Sequence, residues 1–139
     1  MHYRLSNLSC VLINLGLAAA AIVQIVRFEP TVRSVQADNQ IYFYIAERVA
    51  AGVAPHVSLV DHKHQLSALL SGAAISTGRM WGADDVMSSR LLSAVIAVLT
   101  VLLIFQLGLS VSGSLVAGLF AAVAFLGFRS LFLEAAIGF

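Results

Sequence analysis

The sequence predicts an all-α integral membrane protein, with about three transmembrane helices and one or two interfacial helices in a large first loop. Of its 139 residues, 60% are hydrophobic and 11% are charged. Its mean hydropathy of +0.93 is typical of membrane proteins, because a soluble domain of this size cannot bury so much apolar surface. A polar stretch from Asp38 to Lys63 lies between strongly apolar segments and carries five of the fifteen charged residues.

Charge and cysteine content exclude some classes. The net charge of +1 provides no basic patch for nucleic acid. The single cysteine, Cys10, rules out an intrachain disulfide framework and is read as a small packing residue in a helix.

The first predicted span covers residues 8–26. At about 1.5 Å per residue it would be roughly 28 Å long, close to the hydrocarbon thickness of a bilayer. A cleaved signal peptide is the competing interpretation, but its apolar core is normally about 7–15 residues and precedes a small-x-small site. Here Arg27 and Pro30 follow a longer core, which favours an uncleaved anchor.

The loop over residues 27–88 is predicted to contain two short helices. Asp38 can N-cap a helix over about 39–51, and Gly52 is a natural C-terminal residue for it. An apolar face with nearby aromatic rings indicates a helix at the membrane interface. That face comprises Ile41, Tyr44, Ile45 and Val49.

Residues 65–82 are apolar but too interrupted for a span, so they favour a second interfacial or re-entrant helix with Trp81 at its end. Asp84 or Asp85 can cap the next helix. Two further spans are predicted over about 89–109 and 113–129. The last one has small faces suited to close helix packing. These are formed by Gly113, Ala117, Gly118, Ala121 and Ala122.

Charge counting does not settle the orientation of the loop. The loop carries five Lys and Arg residues, whereas the N-terminus carries only Arg4 and the turn over 110–114 carries none. This favours a cytoplasmic loop, but the rule weakens for loops of about 60 residues, and acidic residues balance the basic ones here.

An ordered motif runs through the loop. It reads Asp38-x3-Tyr42-x3-Ala46-x5-Gly52-x2-Pro55-x5-Asp61-His62-Lys63 and is followed, after an apolar stretch, by Ser89-Arg90-Leu-Leu-Ser93. Over about residues 5–135 the chain resembles the N-terminal part of polyprenyl-phosphate-dependent glycosyltransferases with the PMT-like, GT-C fold. That family includes protein mannosyltransferases, lipid A aminoarabinose transferases and relatives of the rhizobial galacturonosyltransferase. Two departures concern the loop exit, where His64 and Gln65 replace two prolines, and Asn39, where the family often has an acid.

The resemblance implies that residues 1–139 form the N-terminal part of a GT-C-like transmembrane domain. Full members are several times longer, and the chain ends without a polar tail, so we expect a piece of a longer protein that is inactive on its own. The resemblance also implies a bacterial inner (plasma) membrane, with the loop over 27–88 extracytoplasmic. The donor would be a polyprenyl-phosphate sugar in the lipid membrane, and the sugar and acceptor are not identified.

The resemblance implies that Asp38 is the catalytic residue, acting as the base or positioning the acceptor. The simpler alternative is an N-cap, which stabilises a helix by about 1 kcal/mol. Lys63 can bind the donor phosphate as a point charge, or it can be a lysine that snorkels to the interface.

Four further residues are weaker candidates. Tyr42 lies one helical turn after Asp38 and can bind substrate or sit at the interface. Arg90 can reach a lipid phosphate or pair with Asp84 or Asp85. Asp61 and His62 can hold a divalent metal or orient Lys63, but their spacing is a poor metal motif, and the sequence requires no cofactor. The missing acid at Asn39 further weakens a metal pair.

Two other classes compete with an enzyme. The first is a small non-enzymatic membrane protein that packs against a larger membrane partner through the small faces of its last helix. The second is a piece of a transporter, which would need charges within its spans. Such charges are nearly absent, so this class ranks last.

Overall fold

The computed structural model describes residues 7–27, 37–54 and 65–128, with all their side chains except those of Asn7, Ala37, Asp38, Asn39 and Gln65. These ranges contain helices and turns and no strand, so the all-α prediction is confirmed for them. The helices are α1 (Asn7–Arg27), α2 (Ala37–Ala50), α3 (Gln65–Met80), α4 (Asp85–Ser112) and α5 (Leu115–Gly127).

Within the described ranges, two helices are long and apolar enough to cross a membrane. They cover Leu8–Arg27 and Asp85–Ser112, with mean hydropathies of 2.2 and 2.5. Only 17% of the most apolar window of each is buried within the protein, unlike the core helix of a soluble protein. Large apolar side chains therefore point outward along both helices, as they do in a helix that faces lipid.

The predicted third span corresponds to α5, which is shorter than expected. It has 13 residues and ends at Gly127, where the N–H of Phe128 donates to the carbonyl oxygens of Ala124 and Phe125. At about 1.5 Å per residue it is roughly 20 Å long, against about 30 Å for the hydrocarbon core. A count of three spans therefore stays a prediction.

The described helices fall into two compact units. The span unit comprises α1, α5 and α4 from Ala94 onward, and the loop unit comprises α2, α3 and α4 up to Ser93.

In the span unit, α4 and α5 pack through glycines. A Cβ atom on Gly118 would lie 2.9 Å from the carbonyl oxygen of Phe105, and one on Gly108 would lie 3.0 Å from the Cα of Gly118. Gly118 and Ala122 are buried, so part of the predicted small face of the last helix does pack closely. The turn before α5 is closed by Gly113, whose φ is +63°, and by Ser114, which caps α5.

Polar side chains link α1 to both neighbours in the span unit. The Nε2 atom of Gln106 donates to Oδ1 of Asn14 over 3.3 Å, and Nε2 of Gln24 donates to the carbonyl oxygen of Leu126 over 3.4 Å. Asn14 also donates to the carbonyl oxygen of Cys10. Such bonds stabilise helix pairs in apolar surroundings, where water is not available as an alternative partner.

In the loop unit, α2 packs on α3 at Gly72, where a Cβ atom would lie 2.5 Å from Cγ1 of Val49. The predicted apolar face of α2 has both buried and exposed members, and its place at a membrane interface stays a prediction. Ile45 is buried, but Ile41 and Tyr44 are 48% and 47% exposed. The atoms of α2 nearest to a Cβ on Gly72 belong to Val49 and Ala46.

The ends of the loop helices follow glycine and aspartate signals. Gly52, with φ +84°, follows α2 in a Schellman arrangement, as predicted, and Gly82 does the same after α3. Oδ1 of Asp84 accepts from the N–H of Met87, which confirms an aspartate cap on α4. The backbone is already helical at Ala37, so Asp38 lies in the first turn of α2 rather than before a helix starting at 39.

Candidate functional site

Three of the six candidate site residues lie outside the described part of the chain. They are Asp61, His62 and Lys63. Their roles in binding phosphate or a metal therefore stay predictions. Among the described residues, no group of three His, Cys, Asp or Glu side chains is placed to hold a metal ion.

Asp38 and Tyr42 both lie on α2, one turn apart. The structure describes the backbone of Asp38 but not its side chain. The Tyr42 side chain is half-buried and has an interaction partner. The helix therefore brings these two positions to the same region, as the four-residue spacing predicts.

Arg90 lies in the second turn of α4 and is only 6% exposed. It also has an interaction partner. A guanidinium group is costly to bury without compensation, so a buried arginine at the start of an apolar helix is notable.

Arg90 belongs to a set of buried polar residues whose burial sequence reasoning did not predict, although Ser89, Arg90 and Ser93 were part of the motif. The set lies in the loop unit and also includes Ser71, Ser88, Ser89 and Ser93. Oγ of Ser93 donates to the carbonyl oxygen of Ser89 over 3.3 Å. The hydroxyl of Ser89 itself has no hydrogen-bond partner in the described part of the chain. The serine spacing around Arg90 is compatible with a buried polar set. It is equally compatible with an ordinary apolar helix that contains small residues, so it did not predict the burial.

The acids predicted as structural partners of Arg90 have other roles. Asp85 is held by Arg79, whose Nε and Nη2 atoms lie 2.9 Å from Oδ1 and 2.6 Å from Oδ2. This fork-to-carboxylate geometry makes the ion pair directional. The hydrogen bond to Asp85 is the main cause that raises the pKa of Arg79 above its usual value. Asp84 caps α4, as described above.

The Arg79–Asp85 pair closes the turn between α3 and α4. Sequence reasoning missed it because the two residues lie on different helices, and only the turn at Gly82 brings them together.

Tyr42, Arg90 and the backbone of Asp38 all belong to the loop unit. The part of the chain that the structure describes is α-helical. It contains two helices able to cross a membrane, α1 and α4, and a buried cation, Arg90, near the start of α4. Comparison with protein-family models, curated proteins and solved structures finds no match.

Proposed function

We propose that this chain is the N-terminal portion of a membrane glycosyltransferase. It would transfer a sugar from a polyprenyl-phosphate donor to a lipid, glycan or protein acceptor on the extracytoplasmic face. The supporting observation is that three motif positions, Asp38, Tyr42 and Arg90, belong to one compact unit that includes the start of a helix able to cross a membrane.

The chemistry needs a base, positive charge for the leaving phosphate and a site at headgroup level. In the proposed reaction, an acceptor hydroxyl oxygen attacks the anomeric carbon of the donor sugar and inverts it. The bond between that carbon and the phosphate oxygen breaks, and its electron pair leaves with the polyprenyl phosphate. Asp38 takes the proton of the acceptor hydroxyl.

Two cations are proposed for the leaving phosphate. Arginine binds phosphate through a planar fork and lysine through a point charge. The burial of Arg90 supports this role, because a phosphate held by a desolvated cation is stabilised more than one held in water. Lys63 is proposed on the motif alone.

The small-membrane-protein alternative would use the small faces of the last helix to bind a partner. Gly118 and Ala122 on that helix are already buried, and Gly118 packs against Phe105 of α4. Less small-residue surface is therefore left for a partner, and the enzyme proposal is the better supported of the two.

Lipid binding tests the proposal. The chain, purified in lipid nanodiscs, would be titrated with a polyprenyl phosphate and with the polyprenol of the same length, and bound lipid counted by native mass spectrometry. We expect the phosphate to bind at least about tenfold more tightly, which corresponds to roughly 1.4 kcal/mol. Equal binding of the two lipids would contradict the proposal.

Variants then assign the preference to residues. Lys63→Ala and Arg90→Gln should each reduce the preference for the phosphate. Arg48→Gln removes an exposed arginine from α2 and should not. Asp38→Asn should also leave donor binding intact, because the base acts on the acceptor. Circular dichroism would confirm that each variant keeps its helices.

A further inference from the structure

The two long faces of α3 differ in their surroundings. One face is packed within the loop unit and consists of Ala68, Ser71, Gly72 and Ile75. The face roughly opposite is exposed and apolar along most of its length, with members spaced by three or four residues. We call it the α3 stripe, and it consists of Leu66, Leu69, Leu70, Ala73, Met80 and the adjoining Trp81.

Exposure of the stripe is greatest where α3 meets α4. Met80 and Trp81 are 83% and 84% exposed. Side chains of this size and apolarity are costly to leave in water, so a stripe of them marks a contact surface.

The chain connection indicates what covers this surface. Trp81 lies only four residues before Asp85, where α4 begins. Because α4 is long and apolar enough to cross a membrane, its first residues lie at or near the membrane surface. Trp81 and Met80 therefore lie close to the interface, the depth that tryptophan prefers.

The turn between the helices is firmly held. The N–H groups of Gly82 and Ala83 donate to the carbonyl oxygens of Arg79 and Gly78, and the Arg79–Asp85 ion pair spans the turn. Gly78 also lies so close to Ser88 that a Cβ atom there would overlap it. The end of α3 is thus held against the first turn of α4.

We infer that α3 lies in the interface of a phospholipid bilayer on this stripe, and that α2 lies on its water-facing side. This differs from the expectation that α2 is itself an interfacial helix. The exposed residues of α2 are mixed in character and include Gln40 and Arg48 beside Ile41 and Tyr44. The inference goes beyond the proposed function, because it holds whether or not a sugar is transferred.

The packing sets the expected depths. An interfacial helix buries its apolar face about 5–10 Å into the headgroup and acyl boundary. Helices in contact have axes about 8–10 Å apart, so α2 would lie up to one such spacing further into the water. The motif positions on α2 would then sit near the level of lipid headgroups rather than among acyl chains.

Continuity with α4 favours lipid as the occupant, and charge indicates which lipid is sufficient. The cation nearest the exposed end of the stripe, Arg79, is already paired with Asp85. Binding therefore needs no anionic surface, and we expect it in a bilayer of phosphatidylcholine alone.

Trp81 provides the test, because it is the only tryptophan in the chain. The full chain would be reconstituted in phosphatidylcholine vesicles that carry bromine either near the carbonyl end or near the methyl end of the acyl chain. Bromine quenches indole fluorescence only at short range. We expect clearly stronger quenching by bromine near the carbonyl end, and little quenching by aqueous acrylamide.

Three outcomes would overturn the inference. Stronger quenching by deep bromine would mean a re-entrant helix. Efficient quenching by acrylamide alone would place Trp81 in water. Protection from both bromine and acrylamide would mean that protein covers the stripe, and loss of that protection when the chain is diluted in lipid would identify a second copy.

A matched pair of variants assigns the contact to α3. Replacing Leu66, Leu69 and Leu70 by Ser should reduce bromine quenching of Trp81 and increase quenching by acrylamide. Replacing Ile41 and Tyr44 by Ser, which removes exposed apolar side chains from α2, should change neither. An equal effect of both sets would contradict the distinction between the helices.

Discussion

The contact between α2 and α3 depends on the missing side chain of Gly72, which makes Gly72→Ala a sharp perturbation. The added Cβ atom would lie 2.5 Å from Cγ1 and 2.8 Å from Cβ of Val49, and 3.1 Å from the carbonyl oxygen of Ala46. Carbon atoms in contact prefer about 3.5–4.0 Å, so the helices must separate by roughly 1 Å.

The expected loss follows from which atoms can move. Val49 is β-branched and stiff, and the Ala46 oxygen belongs to the backbone, so neither yields easily. Overpacking of this kind costs about 1–3 kcal/mol, and we expect the upper half of that range. Alanine stabilises the helix by about 0.8–1.0 kcal/mol relative to glycine, because its helix propensity is higher, and this offsets part of the loss. The net destabilisation is then about 1–2 kcal/mol, which is a factor of roughly 5–30 in the opening equilibrium.

Hydrogen exchange of the α2 amides measures this opening directly. We expect exchange in Gly72→Ala to be roughly 5–30 times faster than in the unmodified chain. Gly16→Ala is the control, because a Cβ atom at Gly16 meets nothing within 4 Å. In a Val49→Ala background, Gly72→Ala should destabilise the contact between α2 and α3 less than it does in the unmodified chain. Unchanged α2 exchange in Gly72→Ala would refute the packing argument.

Three further predictions concern the other helix contacts. Gly118→Ala should destabilise the span unit by about 1–3 kcal/mol in detergent unfolding, because its Cβ would meet the backbone of Phe105 at 2.9 Å. Gln106→Leu should lower the unfolding free energy of the span unit by about 0.6 kcal/mol in the same assay, because it removes the hydrogen bond from Gln106 to Asn14. Arg79→Gln should change the thermal midpoint little, and by less still in high salt, because the ion pair is exposed.

Control variants and a contradicting outcome accompany these three predictions. Gly127→Ala should be harmless, because a Cβ atom there meets nothing within 4 Å. Thr100→Val removes a bond within α4 and none between helices, so it should cost less than Gln106→Leu. A large, salt-independent loss in Arg79→Gln would mean that the ion pair is shielded from solvent, contrary to its exposure.

Local signals predicted much of the fold. The first span, expected over 8–26, is the helix Asn7–Arg27. Gly52 ends α2, and Asp84 caps α4. These features are determined by a few neighbouring residues, through apolar length, left-handed backbone at glycine and a short side-chain acceptor.

Tertiary features were less accessible. The apolar residues of α2 lie close together around the helix, and their spacing does not show that Ile45 is buried and Tyr44 exposed, because burial depends on where the other helices pack. The start of α4 lies four residues before the predicted span at 89, because hydropathy locates the apolar part of a helix and not its polar first turn.

The candidate site was predicted only as a set of positions. Hydropathy alone gives no reason to bury Arg90, since burial of a charge depends on partners from elsewhere in the chain. Likewise, the pairing of Asp85 with Arg79 follows from the turn at Gly82, which brings together residues on different helices. Residue type could suggest the chemistry but not the geometry.

The side of the membrane on which the loop lies tests the proposed function most directly. Cys10→Ala gives a cysteine-free chain, and it leaves the Asn14 bond in place because that bond ends on a backbone oxygen. Ser58→Cys and Ser112→Cys would then be treated separately with an impermeant thiol reagent in intact cells. We predict labelling at position 58 and none at 112, with the loop on the extracytoplasmic face. Labelling at 112 and none at 58 would contradict the proposal.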